Sequence, residues 1–258
     1  MAKRVNKTAK QIVKEYKIKF AFLCLLYIAL LCGFTFIMTT NMLLGIAGIV
    51  ILAMSVGKSF EKLQKIELES VIYEDLDPVK FNEILALGVI KGNARLNILG
   101  AISAGDYDTV LEIIENSPQK KEDLVQVCNN LYRKGAICFE KRDFSGLAEC
   151  VREFERLKDE NAKFSYVFNN FSVFDKYDAM VDEDYQYVVD VCEVDLREVN
   201  PTHQNHKLTM LNVSFYRAVA LYEMERFDEA REAFETIIEF APKMHKAKLS
   251  KEYLEKMN

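Results

Sequence analysis

The feature that most constrains this chain is a long run without charge. From Phe20 to Gly57, 38 consecutive residues include no Asp, Glu, Lys, Arg or His. As one helix the run would be about 57 Å long, nearly twice the roughly 30 Å of a hydrocarbon core. Thr39, Thr40 and Asn41 are its only consecutive polar residues. A tight turn there divides it into two spans, about Phe20–Met38 and Met42–Gly57. The second is short, about 24 Å at 1.5 Å per residue, and Lys58 can extend it by snorkelling. The expectation is an integral membrane hairpin of two transmembrane helices. A cleaved secretory signal competes, with Ala53-Met54-Ser55 as the cleavage site, but the apolar run far exceeds the roughly 7–15 residues of a signal core.

Charge orients the hairpin. Lys3, Arg4, Lys7, Lys10, Lys14, Lys17 and Lys19 stand against Glu15, so residues 1–19 carry +6; the whole chain carries −5, which leaves −11 for the rest. An acidic body lacks the basic face that nucleic acid demands, so no nucleic-acid partner is expected. The basic leader, residues 1–19, sets topology and has anionic lipid as its natural partner. Lys58, Lys62 and Lys65 follow the hairpin, and the turn is uncharged. Positive flanks at both ends place both termini in the cytoplasm. The six cysteines form no Cys-x-x-Cys, which suits a reducing compartment and small buried thiols.

Residues 5–20 read as a helix with Val5, Ala9, Ile12, Val13, Tyr16 and Phe20 on one face, able to lie in the interface plane before turning inward. Residues 58–90 read as juxtamembrane and capping helices, one over Lys58–Leu76 and one over Val79–Ile90, with Asp77-Pro78 as stop and start signal. Residues 91–258 then repeat themselves. Short polar turns lead to an aromatic residue at Gly105-Asp106-Tyr107, Arg142-Asp143-Phe144, Asp184-Tyr185 and Arg226-Phe227, and the aromatics are 37, 41 and 42 residues apart. That period means stacked helical hairpins, about four pairs. The chain is expected to be all α, a transmembrane hairpin followed by an α-solenoid.

The last repeat resembles the tetratricopeptide-repeat family. Ala218, Leu221, Phe227-Asp228-Glu229-Ala230, Phe234, Ile237-Ile238-Glu239 and Pro242 stand where that family has its small, aromatic and terminating residues. The second repeat matches at Gly135, Asp143 and Phe144. The first matches at Gly105 to Asp108, with a shortened second helix before Pro118. The third has Lys176 and Val188 where small residues are usual. The resemblance implies a peptide-binding groove lined by the first helix of each pair, with Lys246–Met257 as a capping helix at the end of the stack.

Fifteen residues before the last three turn aromatics stand Asn129, Asn170 and Asn212, with Gly92 at the corresponding place in the first repeat. An amide ladder there could read an extended backbone, with Tyr132, Arg133, Tyr177, Phe215 and Tyr216 beside it. Some family members clamp a C-terminal carboxylate; the matching places hold Arg95, Leu99, Arg133, Asn170 and Phe174, which is not that clamp. Phe164, Val167, Phe168, Phe171 and Phe174 have helical spacing and read as core. His203 and His206 read as a solvated loop, without a neighbouring metal-ligand cluster. Ala53 to Gly57 is a small-xxx-small spacing that could join the spans. No enzyme motif occurs, and no cofactor or metal is expected. The function these residues imply is a membrane-tethered scaffold for a protein or peptide partner. The alternative is an accessory subunit of a membrane enzyme or transporter, bound through the hairpin.

Overall fold

The computed structural model describes residues 6–90, 93–116 and 123–257. Lys3, Arg4, Val5, Gly92 and Pro118 lie outside them. Among the described residues every regular element is helical. The chain divides into two compact units, Met1–Gly92 and Asn93–Asn258.

The first unit opens with α1, Ala9–Met38, and α2, Met42–Gln64. A reciprocal capping box starts α1: the Thr8 hydroxyl accepts from the Gln11 amide while the Gln11 side chain accepts from the Thr8 amide. Thr39 and Thr40 end the helix, and the Asn41 side chain caps α2 by accepting from the Leu44 N–H at 3.1 Å, so the turn falls on the polar triplet. Both helices are long and apolar enough to cross a membrane. Their contact is made by small residues. A Cβ on Gly45 would collide with Met38, and one on Gly48 with the Phe34 ring. The Tyr27 hydroxyl donates to Ser59 at 2.7 Å, and Phe20 meets Phe60 at 4.7 Å. The spacing from Ala53 to Gly57 does not join the helices: Gly57 has nothing within 4 Å of a Cβ and Ala53 is exposed. Antiparallel register puts Gly45 and Gly48 on the inner face instead.

The leader does not turn at an interface. It is the first part of one unbroken helix, and its Ala9, Ile12, Val13 and Tyr16 are buried. They are covered by elements beyond the hairpin, as α1 packs against the segments after α2. Nor is there a separate helix over Lys58–Leu76: α2 runs on to Gln64, passes through a π-helical segment, Lys65–Glu69, and continues as α3, Ser70–Tyr73. Asp77 caps α4, Pro78–Ala86, from which Phe81 and Ile84 join Leu68, Val71 and Ile72 in a small core. α4 ends four residues before Ile90, where Gly88 takes a positive φ.

The second unit contains α5 (Ala94–Ala104), α6 (Tyr107–Asn116), α7 (Leu124–Glu140), α8 (Phe144–Glu160), α9 (Ser165–Phe168), α10 (Val173–Val181), α11 (Tyr185–Glu198), α12 (His206–Glu223), α13 (Phe227–Phe240) and α14 (His245–Lys256). One turn recurs. Tyr107, Phe144, Tyr185 and Phe227 are each the first residue of a pair's second helix. Two residues earlier, Gly105, Arg142, Glu183 and Glu225 all have φ between 58° and 79°. The following N–H reaches back five residues, Asp106 to Ala101, Asp143 to Cys138, Asp184 to Ala179 and Arg226 to Leu221, at 2.8–3.0 Å. This left-handed closure satisfies the end of one helix. Asp106, Asp143 and Asp184 then cap the next by accepting backbone N–H groups. Only the fourth turn, with Arg226, lacks the side-chain cap.

Packing is aromatic. Phe154 stacks on Phe174 at 3.9 Å; Phe139 meets Tyr216 at 4.8 Å; Phe234 stacks on Tyr253 at 4.8 Å. Ala218 and Ala230 are buried, as a close crossing of α12 and α13 requires. Phe168, Val167 and Phe174 are buried as expected of the phenylalanine run, but Phe164 is exposed and the run is not one helix. Residues Ala162–Phe164 and Asn169–Phe171 are 3-10 segments. The small-residue place in α10 is filled by Lys176, buried and paired with Asp195 at 2.8 Å.

Candidate functional site

The groove is expected along the first helices of the pairs, and α14 contacts two of them, α5 and α12. In an open stack a last helix would cover one end only; here α14 packs on α12 and α13 and also on α5, the first helix of the array. Ala247, Ser250 and Tyr253 are its buried face. The sequence expectation of a simple terminal cap is corrected on this point.

The residues that hold α14 form a polar latch. Glu140, buried at the end of α7, accepts from the Tyr107 hydroxyl at 2.7 Å and from the Lys246 ammonium. The His245 ring meets Tyr107 edge-on at 5.4 Å. A side chain on Gly105 would collide with that imidazole. Its buried Nε2 has no hydrogen-bond partner among the described residues. Burial lowers the His245 pKa, with Lys246 and Lys248 adding to that and Glu140 opposing it. Arg142 pairs with Glu223 at 2.5 Å and lies over the rings of Tyr222 and Tyr253. Removing either partner of a buried acid–cation pair would leave an uncompensated charge, which is costly.

The eight expected groove residues fare differently. Tyr177, Phe215 and Tyr216 do not line an open surface: all three are buried, and the two tyrosine hydroxyls bond each other at 3.1 Å. They face inward because successive pairs bury one aromatic face against the next. Asn129 spends its amide on the Val125 carbonyl at 2.9 Å. Asn170 is exposed and donates to the Tyr166 carbonyl at 2.9 Å, within the 3-10 segment before α10. Three residues at 3.0 rather than 3.6 per turn rotate the next helix by about 60°, so Asn170 is not equivalent to Asn129 on α7 and Asn212 on α12. Asn212 is half-buried.

Tyr132 and Arg133 are half-buried on α7. The Arg133 guanidinium donates to the Asn130 side chain at 3.0 Å. No carboxylate of a described residue pairs with it. Burial lowers its pKa, and Arg95 nearby lowers it further. Sequence reasoning missed the latch, whose partners Glu140 and Lys246 are 106 residues apart.

The remaining candidates are quiet. His203 and His206 border an open cavity of about 360 Å³ with Asp195 and Glu198. His206 Nδ1 bonds the His203 carbonyl, and no metal-binding cluster occurs among the described residues. Burial pushes the Cys150 thiol up to about 11 and that of Cys192 to about 12, which keeps both protonated. No family model matches the chain, and no curated protein or solved structure matches it significantly.

Proposed function

We propose that this chain is a membrane-tethered interaction scaffold with a binding rather than catalytic role. In this reading α1 and α2 span the bilayer with both termini in the cytoplasm. The helix pairs form an array of tetratricopeptide type, and an acidic segment of a protein partner docks at Arg133. The observation that carries the docking surface is Arg133 itself: a half-buried cation with which no carboxylate of a described residue pairs. A partner carboxylate would supply the missing charge, with bidentate geometry available. Asn129, one helical turn earlier on the same face, and Tyr132 stand beside it. The membrane reading is supported by apolar side chains left uncovered on the hairpin, such as Phe22 at 70% and Leu43 at 82% exposure. A core helix of a water-soluble protein would bury them.

Crosslinking of the full chain in native membranes, followed by capture, tests this reading. Arg133→Glu should abolish capture of the partner held by the wild type, while thermal unfolding stays unchanged. Exchanging residues 20–57 for an unrelated two-span hairpin should leave capture intact. Capture that survives Arg133→Glu but fails on the hairpin exchange would instead identify an accessory subunit bound through its membrane helices.

A further inference from the structure

The basic leader contains a second surface whose chemistry is more specific than its net charge. An open furrow of about 480 Å³ runs beside α1, lined by Lys10, Val13, Lys14, Lys17, Ile18, Ala21 and Leu87. Its volume falls in the range of small-molecule sites. One end is cationic and the other apolar. Not every leader lysine is available. Lys7 is taken by Glu15 and Lys19 by Glu67, each at 2.6 Å. Lys10, Lys14 and Lys17 are exposed and have no partner among the described residues. Their spacing of four and three places them on one helix face. That face cannot roll away, because Ala9, Ile12, Val13 and Tyr16 hold the other side in the core.

We propose that this furrow binds one phospholipid with an anionic headgroup, its phosphate among Lys10, Lys14 and Lys17 and an acyl chain along Ile18 and Ala21. The proposal rests on the reading that α1 and α2 span the bilayer. Depth supports it. At 1.5 Å per residue, Ala21 lies about 27 Å along α1 from the Thr39 turn, Lys17 about 33 Å and Lys10 about 44 Å. With the turn at one edge of a roughly 30 Å hydrocarbon core, Ala21 falls just inside the opposite edge and the lysines fall among the headgroups. The apolar end of the furrow is continuous with Ile18, Phe22 and Leu25, exposed at 59%, 70% and 66%. A soluble phosphate or an acidic polypeptide would use the lysines and leave that end empty; a lipid uses both.

The test reconstitutes the full chain in phosphatidylcholine containing a minority of phosphatidylglycerol, re-extracts it in mild detergent, and counts the retained lipids by native mass spectrometry. The wild type should retain phosphatidylglycerol in preference to phosphatidylcholine. The triple variant K10Q/K14Q/K17Q should lose that preference by roughly tenfold, each lysine contributing to attraction of an anionic surface. Ala21→Phe, which fills the apolar end and keeps every charge, should also lose it. The control K58Q/K62Q, which removes charge after the second span, should keep it. Equal loss in the control would show diffuse surface attraction and overturn the site. Unchanged retention in the triple variant or in Ala21→Phe would overturn it too, as would displacement of the lipid by poly-glutamate or glycerol phosphate. Resistance to alkaline carbonate extraction is scored on every variant. A wild type released by carbonate defeats the spanning reading, and the proposal with it; a resistant wild type without lipid preference defeats the proposal alone.

Discussion

The hairpin and the helix pairs place their large apolar side chains on opposite sides. In the pairs, Phe174, Phe215 and Phe234 are at most 2% exposed. In the hairpin, Phe22, Leu43 and Ile51 are at least 67% exposed, and the buried positions of α2 are Gly45, Gly48 and Leu52. Water explains the first pattern: burying an aromatic ring removes it from a solvent that excludes it. Lipid offers no such gain, so helices associate through close backbone approach and hydroxyl contacts. Gly48 against Phe34 and Tyr27 against Ser59 are contacts of that kind. The two regions differ in which side chains they bury, and substitutions should separate them.

The largest expected effect is in the array. Phe234→Ala should cost about 3–5 kcal/mol, the usual result of emptying a fully packed aromatic site. Phe22→Ala removes the same bulk from an uncovered place and should leave the unfolding midpoint in detergent unchanged. A hairpin that lost as much stability as the array would have a covered outer face, and the contrast would fail.

The next effect is confined to the hairpin. Gly48→Leu should overpack the contact with Phe34 at a cost of about 1–3 kcal/mol. Gly57→Leu, at a place open to 4 Å, should be neutral. Crosslinking of cysteines placed at residues 27 and 59 by a short bismaleimide, which spans the length of the replaced tyrosine, reads the pairing directly. Crosslinking should fall in Gly48→Leu and persist in Gly57→Leu.

Much of this architecture is legible in the sequence, and the exceptions share a cause. The turn at Thr39 to Asn41 could be read because no other place in the run offers consecutive polar groups. Tyr107, Phe144, Tyr185 and Phe227 could be read as repeat markers because they come after turn residues at a steady period, and all four begin a helix. The unreadable features depend on register or on distant partners. Choosing Gly45 and Gly48 over Gly57 requires knowing how two helices align. The inward turn of Tyr177 and Tyr216 requires knowing that the pairs bury that face. Asn170 looks equivalent to Asn129 until the 3-10 segment Asn169–Phe171 shifts its register. The return of α14 to α5 depends on single contacts such as Glu140 with Lys246, which no periodicity announces.

Acid should divide the regions again, by a smaller amount. The folded pKa of His245 lies below its unfolded value, because burial disfavours the imidazolium. Below about pH 6.5 the unfolded chain therefore binds a proton that the folded chain resists. Stability of the α14 latch is fully present above that pH. It declines as pH falls from the unfolded pKa towards the folded one. Hydrogen exchange at pH 7.5 and 5.5 should show α14 opening more readily at the lower pH, while protection of α1 and α2 is unchanged. His245→Gln should flatten the response of α14; an unflattened response would assign it to other groups.

The smallest effect concerns the turns that make the array repetitive. Gly105, Arg142, Glu183 and Glu225 share one left-handed conformation, yet only the first is glycine. A side chain in that region carries a steric cost of roughly 1–2 kcal/mol. Glycine removes it but loses more freedom on folding. Glu183 is exposed, so Glu183→Gly should raise stability by up to about 1 kcal/mol. Arg142→Gly relieves the same backbone and should nevertheless be destabilising, because it abandons Glu223 half-buried and uncovers Tyr222 and Tyr253. Thermal unfolding of the two variants decides the point. Opposite signs would show that the turn is a shared backbone device and that Arg142 is kept at a steric cost for what it holds. Two gains would mean that the Arg142 contacts contribute nothing, and would leave Glu140 and Lys246 as the principal tie on α14.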